Sequence, residues 1–457
     1  MGPGASRHLG ASRYGAALLA SLLVAGCSSA GVTIPDARQE DGGGTDAGLD
    51  AGGDATPPGD AGGDGAAGDG APADGPCVDP CPAPRGGVTV GCEKRFMYGV
   101  NYAWLNFAGD FGGISAWNQY GVAAESATHL QNLQDMRAHG VSVIRWWVFP
   151  DFRGDGIVFD TGDSPTALGP TVVDDVDEAL SLADQAGVYL MLTIFSFDNF
   201  GPSETIQGVW TPGIRPMLRD NSKRTALLQN VVRPLALAVK QSPHAHRMIA
   251  WDVINEPEWA ITGPSPYGDE DYTPTAGLEA VTHTEMESFI GEVIGVLRAQ
   301  SATPLVSVGA AAVKWAHAWK NLDTDFHHFH MYKWINDWWP YTLTPTQLEL
   351  ADKPLVMGEL PMDQLDTSIP YSMVLGSWWD NGYAGAMGWQ YNEATAAELD
   401  NVKAFSDLHL CETRYGVVGS ALQPGAPGPA PSSRGTRPSL RRCNRGPDGR
   451  PICGAVP

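Results

Sequence analysis

Short apolar runs alternate along residues 95–410 with longer segments whose apolar residues recur at helical spacing. Apolar runs with little polar alternation indicate strands buried on both faces, as in a parallel sheet. Eight strands are predicted: Phe96–Asn101, Val141–Val148, Val188–Phe195, Ile249–Asn255, Pro304–Gly309, Phe326–Met331, Pro354–Gly358 and Ala384–Trp389. Helices are predicted between and after them: Glu125–His139, Val172–Gln185, Thr225–Lys240 with a kink at Pro234, Thr284–Arg298, Thr344–Ala351, Tyr371–Asn381 and Val402–Leu408.

This alternation predicts an α/β fold built from βαβ units. Eight strands in this length fit a (β/α)8 TIM barrel with insertions better than a doubly wound open sheet. No Gly-rich dinucleotide fingerprint or phosphate-binding loop follows any predicted strand, and no cofactor is expected. The main insertions are Asn199–Arg224 and Thr262–Thr275, and both are expected on the rim where substrates bind.

The N-terminus has the pattern of an export signal. Arg7 and Arg13 precede the apolar run Ala16–Ala25, which is too short to cross a bilayer as a mature helix. The run ends in Val-Ala-Gly-Cys27, which resembles the signal peptide of a bacterial lipoprotein, residues 1–26, cleaved before the cysteine. The resemblance implies a diacylglyceryl anchor on Cys27 and attachment to a membrane at the cell surface or outer membrane. A plain secretory signal with a chance cysteine is the alternative, and it also exports the protein.

Residues 27–76 form a segment rich in Gly, Ala and Asp, without an apolar cluster, and a disordered tether is expected there. Residues 31–76 hold ten acids and one arginine, so about nine of the 23 excess negative charges belong to this tether. The remainder of the chain is only moderately acidic and shows no basic footprint, which disfavours nucleic-acid binding.

Six cysteines remain if Cys27 is lipidated, and an even number in an exported chain predicts up to three disulfides. They fall at the two edges of the predicted barrel, which indicates clips on its ends rather than a zinc site, because no second Cys pair completes one. The cysteines are Cys77, Cys81, Cys92, Cys411, Cys443 and Cys453. The predicted boundaries are 77–420 for the barrel and 421–457 for a Pro/Gly/Arg-rich tail with a Cys443–Cys453 disulfide.

Polar and aromatic residues stand at the ends of five predicted strands, and in a barrel that rim is where active sites lie. They are Arg145, Asn255 with Glu256, His330 with Tyr332, Glu359, and Trp389. Two carboxylates facing each other across a barrel mouth suit glycosidic bond cleavage, which needs a protonated acid and an ionised nucleophile. Arg145 is expected to lower the pKa of Glu359, and Tyr332 to donate a hydrogen bond to it. Asn255 is expected to bind a sugar 2-hydroxyl, and Trp389 to stack on a pyranose ring.

Together these motifs resemble the clan A glycoside hydrolases, most closely family 5, the cellulase and β-mannanase family. The resemblance rests on Asn255-Glu256-Pro257, Glu359 after Met-Gly, His330-x-Tyr332, Arg145 and Trp389, and it covers roughly residues 95–410. It implies retaining hydrolysis without a cofactor, with Glu256 as acid/base and Glu359 as nucleophile. His330 would orient the acid/base or touch the sugar.

One departure from the family concerns strand three, where many members carry a histidine. Here the strand ends in Phe195-Ser196-Phe197-Asp198-Asn199, so Asp198 or Asn199 is expected to take over sugar contacts.

Other interpretations stay open for several of these residues. An alternative role for Arg145 is to form an ion pair with a structural acid. The run His327, His328 and His330 resembles a metal cluster, although His328 and His330 share one strand face and His327 does not. Trp104 and the loop tryptophans are expected either to form a wall on which sugars stack or to pack within their loops. Trp378 and Trp379 are expected in the core. The loop tryptophans are Trp334, Trp338 and Trp339.

The sequence thus predicts a surface-tethered, monomeric, retaining β-glycan hydrolase, endo-acting on β-mannan or β-glucan, with a polysaccharide as partner. An exo-β-glycosidase or transglycosylase on the same scaffold is the alternative among enzymes. A non-catalytic carbohydrate-binding lipoprotein is the alternative outside them.

Overall fold

The computed structural model describes residues 79–301, 304–332, 341–366 and 369–416, with the backbone of 443–445 and 451–453. These residues belong to the second of two compact units, residues 78–457. The predicted signal peptide and tether lie outside the described residues, as do Trp334, Trp338 and Trp339. Among the helices that the structure describes, none has the length and hydropathy to cross a bilayer.

Eight parallel strands close into a barrel in sequential order, with the last strand paired to the first. The predicted (β/α)8 TIM barrel is therefore confirmed. The strands are β1 Met97–Asn101, β2 Val143–Trp147, β3 Tyr189–Ser196, β4 Met248–Asn255, β5 Leu305–Ala310, β6 His327–His330, β7 Leu355–Pro361 and β8 Gly385–Trp389.

The strands are buried along almost their whole length because helices cover one face and the barrel interior the other. A cluster of apolar residues near the N-terminal ends of the strands, including Met97, Val143 and Met191, packs with Tyr415 and Val88. Further along the strands the buried side chains become polar, as at Asn101, Arg145, Asp252 and Glu359. The barrel therefore has an apolar lower end and a charged upper end.

The helices are α1 Ser126–Ala138, α2 Val172–Ala186, α3 Arg215–Arg219, α4 Asn221–Leu227, α5 Arg233–Gln241, α6 His283–Gln300, α7 Tyr371–Asn381 and α8 Ala396–Leu408. The prediction of a helix at Thr344–Ala351 is wrong, because this segment forms turns. Helix α8 begins six residues before the predicted Val402, where Thr395 and Glu398 form a capping box.

The predicted helix Thr225–Lys240 is longer and has a different interruption. It begins at Asn221, where the Asp220 side chain accepts from the first backbone N–H groups, and it widens into a π-helical turn at Leu228–Val232. Helix α5 then starts with Pro234 in its first turn. Because proline lacks an N–H and collides with the preceding turn of a regular helix, the wide turn accommodates it.

Short antiparallel ribbons extend from the barrel after β2 and β3. The first pairs Ile157–Phe159 with Pro165–Leu168, and the second pairs Glu204–Ile206 with Val209–Thr211 inside the predicted insertion. Each follows the C-terminal end of a strand, so both belong to the rim loops.

A disulfide between Cys81 and Cys411 joins the two edges of the barrel across 330 residues of sequence. Cys92 is disulfide-bonded as well. These bonds agree with the expected clips on the barrel ends. In the tail, the backbone places Cys443 opposite Cys453 in an antiparallel pair, and the disulfide between them stays a prediction.

Candidate active site

Glu256 directly follows β4 and has a left-handed backbone conformation, with φ 49° and ψ 47°. Such a conformation is uncommon for a residue with a Cβ and needs support from its surroundings. Support comes from its own backbone N–H, which donates to the Gly309 carbonyl at 2.6 Å, and from the 3₁₀ turn Pro257–Ala260 that follows. The chain thus reverses at Glu256 while its side chain stays in the barrel mouth.

Glu256 is buried, with 8% of the residue exposed, and each oxygen of its carboxyl has a neighbour. Oε1 lies 2.8 Å from Nδ1 of His330, and Oε2 accepts a hydrogen bond from the Trp259 indole at 2.9 Å. Burial raises the pKa of Glu256 to about 7. Burial also lowers the pKa of His330 to about 4, so this histidine is neutral near pH 7. Glu256 therefore retains a proton far more readily than an exposed glutamate.

Glu359 lies on β7, and its two oxygens accept different hydrogen bonds. Oε1 accepts from Nη1 of Arg145 at 2.6 Å, and Oε2 accepts from the Tyr332 hydroxyl at 2.7 Å. Arg145 lowers the pKa of Glu359, as expected, but it does not set the net direction of the shift. Burial raises the pKa of Glu359, and this effect exceeds the opposing effects of His330, Arg145 and Tyr332. The guanidinium still gives Glu359 a direct cationic partner, and the tyrosine bond is as predicted.

The two glutamates are close together. One oxygen of Glu256, one oxygen of Glu359 and a ring nitrogen of His330 all lie within 4.8 Å of one another. His330 Nδ1 is 3.5 Å from Glu359 Oε1, so the imidazole bridges the pair. His330 ends β6 and is fully buried, and its contacts with both glutamates place its ring in the barrel interior.

Arg145 is the centre of the polar network inside the barrel and is fully buried. Besides Glu359, it donates from Nε and Nη2 to Asp252 at 2.9 and 2.7 Å. It also donates to the side-chain oxygens of Asn101 and Asn255, at 2.9 and 2.8 Å. Both interpretations of Arg145 therefore hold: it contacts the rim glutamate and it pairs with a structural acid.

Two residues of this network were not predicted from the sequence. Asp252 accepts from Arg145, from the Thr193 hydroxyl and from the Gly309 N–H. Asn101 donates from its amide to the carbonyls of Gly358 and Gly388. An acid inside an otherwise apolar strand and an amide at the end of β1 were the signals available in the sequence.

Trp389 lies at the edge of this site within a group of aromatic side chains. Its ring is 5.7 Å from Trp147 and 6.1 Å from Trp104, and the Arg145 guanidinium is 5.3 Å from the Trp147 ring. Trp104 and Trp389 are partly exposed, whereas Trp147 is buried. Six of the seven predicted site residues therefore join one network of hydrogen bonds and close polar contacts, and Trp389 contacts it through Trp147.

The remaining histidines and tryptophans divide as expected from their strand and helix positions. His327 faces away from the barrel interior and pairs with Asp352 at 2.7 Å, whereas His328 is buried beside His330 with ring centres 5.2 Å apart. A Cβ on Gly358 would lie 1.5 Å from Nε2 of His328, so only glycine fits there. Trp378 is fully buried, as predicted for the core.

At the end of β3 the two candidate residues have different positions. Asn199 is buried, and its side-chain oxygen accepts from the Ser196 N–H in a capping box at the turn Phe197–Phe200. Asp198 is half-buried, accepts from the Ser196 hydroxyl at 3.0 Å, and is influenced electrostatically by Asp151, Arg153 and Glu256. Asp198 therefore borders the glutamate pair, while Asn199 holds the turn.

Glu256, His330 and Glu359 also have the ligand types and spacing of a cation site. Glu359 already contacts Arg145, Glu256 already contacts His330, and the guanidinium beside Glu359 repels a metal ion. The arrangement suits proton transfer between the buried groups better than ion binding.

Comparisons with known proteins agree with this fold. No family model matches the chain. The chain is 23% identical over 342 residues to the mannan endo-1,4-beta-mannosidase of Cryptopygus antarcticus. This match covers 66% of this chain and 82% of that protein. The mannan endo-1,4-beta-mannosidase of Mytilus edulis is 23% identical over 336 residues, covering 66% and 84%. The solved structure of the M. edulis beta-mannanase has a TM-score of 0.58 at 18% identity and covers 74% of this chain and 100% of that one.

Proposed function

We propose that this chain is a retaining endo-β-1,4-mannanase of clan A, with Glu256 as acid/base and Glu359 as nucleophile. One observation carries the mechanism: an oxygen of each glutamate lies within 4.8 Å of the other. Retaining glycosidases hold their carboxyl groups about 5–5.5 Å apart, whereas inverting enzymes leave about 6.5–9.5 Å for a water molecule. The short separation therefore supports a double displacement through a covalent glycosyl-enzyme.

In the first step, Glu359 attacks the anomeric carbon of a mannosyl unit. Arg145 and Tyr332 hold both of its oxygens, so the attacking atom has a fixed position and a cation stabilises the charge. The bond between the anomeric carbon and the bridging oxygen breaks, and its electron pair stays on that oxygen. Glu256, whose pKa is about 7, gives that oxygen its proton, and the shortened chain leaves as an alcohol.

In the second step, the ionised Glu256 takes a proton from a water molecule. The water oxygen bonds to the anomeric carbon as the ester bond to Glu359 breaks. The product keeps the β configuration, Glu256 is protonated again and Glu359 is ionised. Asn255 binds the sugar 2-hydroxyl, and Trp389 stacks on the pyranose ring of the same unit.

β-Mannan is the proposed substrate because both curated relatives are named mannan endo-1,4-beta-mannosidases. The test is the release of reducing ends from mannan, glucomannan, cellulose, xylan and mixed-linkage glucan. Mannan and glucomannan are expected to be cut, with viscosity falling before many reducing ends appear. Release of reducing ends from glucan alone would contradict β-mannan as the substrate. Release of monosaccharide as the only product would contradict endo action.

The roles of the glutamates are tested with azide. Glu359→Ala is expected to be inactive, because no other group forms the covalent intermediate. Glu256→Ala is expected to regain turnover of an activated aryl β-mannobioside when azide is added, with a β-glycosyl azide as product. Recovery of an α-azide instead would reverse the two assignments.

The remainder of the chain is proposed to carry the enzyme outside the cell. Residues 1–26 serve as a lipoprotein signal peptide, 27–76 as a tether, 77–420 as the catalytic domain and 421–457 as a tail with a disulfide. A lipid on Cys27 holds a monomeric enzyme at the outer membrane or cell surface. Cys27→Ala is expected to release active enzyme from the membrane fraction, and retention at wild-type levels would contradict the anchor.

A further inference from the structure

Trp259 contacts the acid/base directly and was not among the predicted site residues. It lies in the 3₁₀ turn Pro257–Ala260, where its backbone N–H donates to the Glu256 carbonyl at 3.2 Å. The turn brings its indole back to the carboxyl of Glu256, and Nε1 donates to Oε2 at 2.9 Å. Trp259 thus donates a hydrogen bond to the side chain of Glu256, three positions earlier in the chain.

The turn that carries Trp259 is held from two sides. Glu258 points away from the mouth and is fully buried, accepting from the Ala311 N–H at 3.0 Å and from the Trp319 indole at 2.7 Å. Trp259 packs edge-on against Trp315, with ring centres 5.3 Å apart. The indole therefore has little freedom to leave Glu256.

We infer that Trp259 is a positioning residue for the acid/base: its N–H fixes the rotation of the Glu256 carboxyl and leaves a defined lone pair to carry the transferred proton. An indole N–H donates and never accepts, so the lone pair that it contacts on Oε2 cannot hold that proton. With Nδ1 of His330 at Oε1, both oxygens of Glu256 have a fixed neighbour. The inference rests on the proposed role of Glu256.

The same hydrogen bond affects the acidity of Glu256. A donor to a carboxylate stabilises its ionised form, so Trp259 opposes the burial that raises the pKa of Glu256. Removing the N–H therefore raises that pKa further, and the protonated acid persists to higher pH. Other titratable or charged groups around Glu256 and Trp259 include Arg145, Asp198, Glu258, Lys314, His330, Tyr332 and Glu359. Trp259→Phe leaves all of these groups in place, and Lys314, which lies 6.0 Å from the centre of the Trp259 ring, keeps an aromatic neighbour.

The test compares Trp259→Phe with Trp315→Phe in the full chain. Phenylalanine keeps a ring at either position, but only the first variant removes a donor to Glu256. Trp315 belongs to the same aromatic cluster, and its Nε1 has no hydrogen-bond partner among the described residues. We expect Trp259→Phe to lower kcat/KM on mannan by about tenfold and to move the basic limb of its pH profile upward. Trp315→Phe is expected to keep the wild-type limb.

An aryl β-mannobioside with a dinitrophenyl leaving group separates positioning from general damage. Its leaving group needs no proton, so kcat/KM of Trp259→Phe is expected to approach the wild-type value on this substrate. An equal loss on both substrates, an unmoved basic limb, or the same upward shift in Trp315→Phe would each overturn the inference.

The inference can also fail or hold independently of mannan hydrolysis. In the ¹H–¹⁵N spectrum of the intact protein, the indole signal that disappears in Trp259→Phe is expected to titrate near neutral pH and to stop titrating in Glu256→Gln. An indole signal that does not titrate in the wild type, or that still titrates in Glu256→Gln, would overturn the inference even if the wild-type enzyme cleaves mannan. A wild-type enzyme inactive on mannan would overturn the proposed function while the spectrum still decides the role of Trp259.

Discussion

Asp252 accepts two hydrogen bonds from the guanidinium of Arg145, at 2.9 and 2.7 Å, while Glu359 accepts from a third nitrogen of the same group. All three side chains are buried, and Thr193 and the Gly309 N–H complete the hydrogen bonds of Asp252. Asp252 therefore fixes the cation that in turn fixes the proposed nucleophile.

Asp252→Asn is expected to lower both stability and activity. Removing one partner of a buried ion pair costs about 3–5 kcal/mol, because the other charge stays buried. We expect a lower urea midpoint and a kcat that falls more than KM rises, since Glu359 loses its fixed position. Asp184→Asn is the matched control, because Asp184 pairs with Arg247 in a partly exposed position. An Asp252→Asn variant with wild-type kcat would refute the positioning role.

The pH dependence of kcat/KM is expected to have its basic limb near pH 7. As the proposed acid, Glu256 acts in its protonated form, and its raised pKa of about 7 means that this form is lost as the pH rises through that value. As the proposed nucleophile, Glu359 acts in its ionised form, so the acidic limb of the profile is expected to reflect protonation of Glu359. The measurement compares the pH–rate profile on mannan with the profile on the dinitrophenyl substrate. On the dinitrophenyl substrate, kcat/KM is expected to fall less steeply above pH 7. A rate on mannan that is constant well above pH 7 would contradict the acid role of Glu256.

Asp198 and Asn199 are expected to respond differently to alanine. The surrounding protein and nearby Asp151 raise the pKa of Asp198 to about 7, so its carboxyl can both donate to and accept from a sugar hydroxyl. Asp198→Ala is expected to raise KM for mannan several-fold with an unchanged thermal midpoint. Asn199→Ala removes a cap acceptor from a buried N–H and is expected to cost about 1–2 kcal/mol of stability. An unchanged KM in Asp198→Ala would exclude a sugar contact.

Two glycines are expected to respond oppositely to alanine. A Cβ on Gly358 overlaps His328, and the neighbouring Glu359 must move if either residue shifts. Gly358→Ala is therefore expected to reduce both the thermal midpoint and kcat. Gly376 lies inside helix α7 with no atom within 4 Å of an added Cβ, so Gly376→Ala is expected to add about 0.5–1 kcal/mol. Equal effects of the two variants would show that crowding at His328 does not limit this site.

Much of the barrel and of its rim was predictable, because strand ends in a parallel barrel meet at one face. Glu256 directly follows β4, His330 ends β6 and Glu359 lies two residues before the end of β7, so their proximity follows from the strand positions. The role of Asp252 is not predictable from the sequence, because the acid lies in mid-strand and the sequence does not show its buried partner. Trp259 depends on the left-handed backbone of Glu256, which the sequence does not reveal. The net pKa direction of Glu359 needed the depth of its burial, which outweighs the nearby cation.

The helix errors have local causes. Thr344–Ala351 has helix-compatible residues, yet turn formation prevails in a segment that connects two adjacent strands. Helix α8 begins before the predicted Val402 because the Thr395–Glu398 cap that starts it is polar, and its first buried apolar residue is Leu399.

The disulfide between Cys81 and Cys411 has a consequence for a chain that is cut by a protease. It encloses all eight barrel strands in a single covalent ring of sequence. A protease that cuts one rim loop therefore opens the ring without separating the polypeptide into two molecules. Both fragments stay joined through the sulfur atoms, so the strands that carry Glu256 and Glu359 remain on one molecule after a first cut.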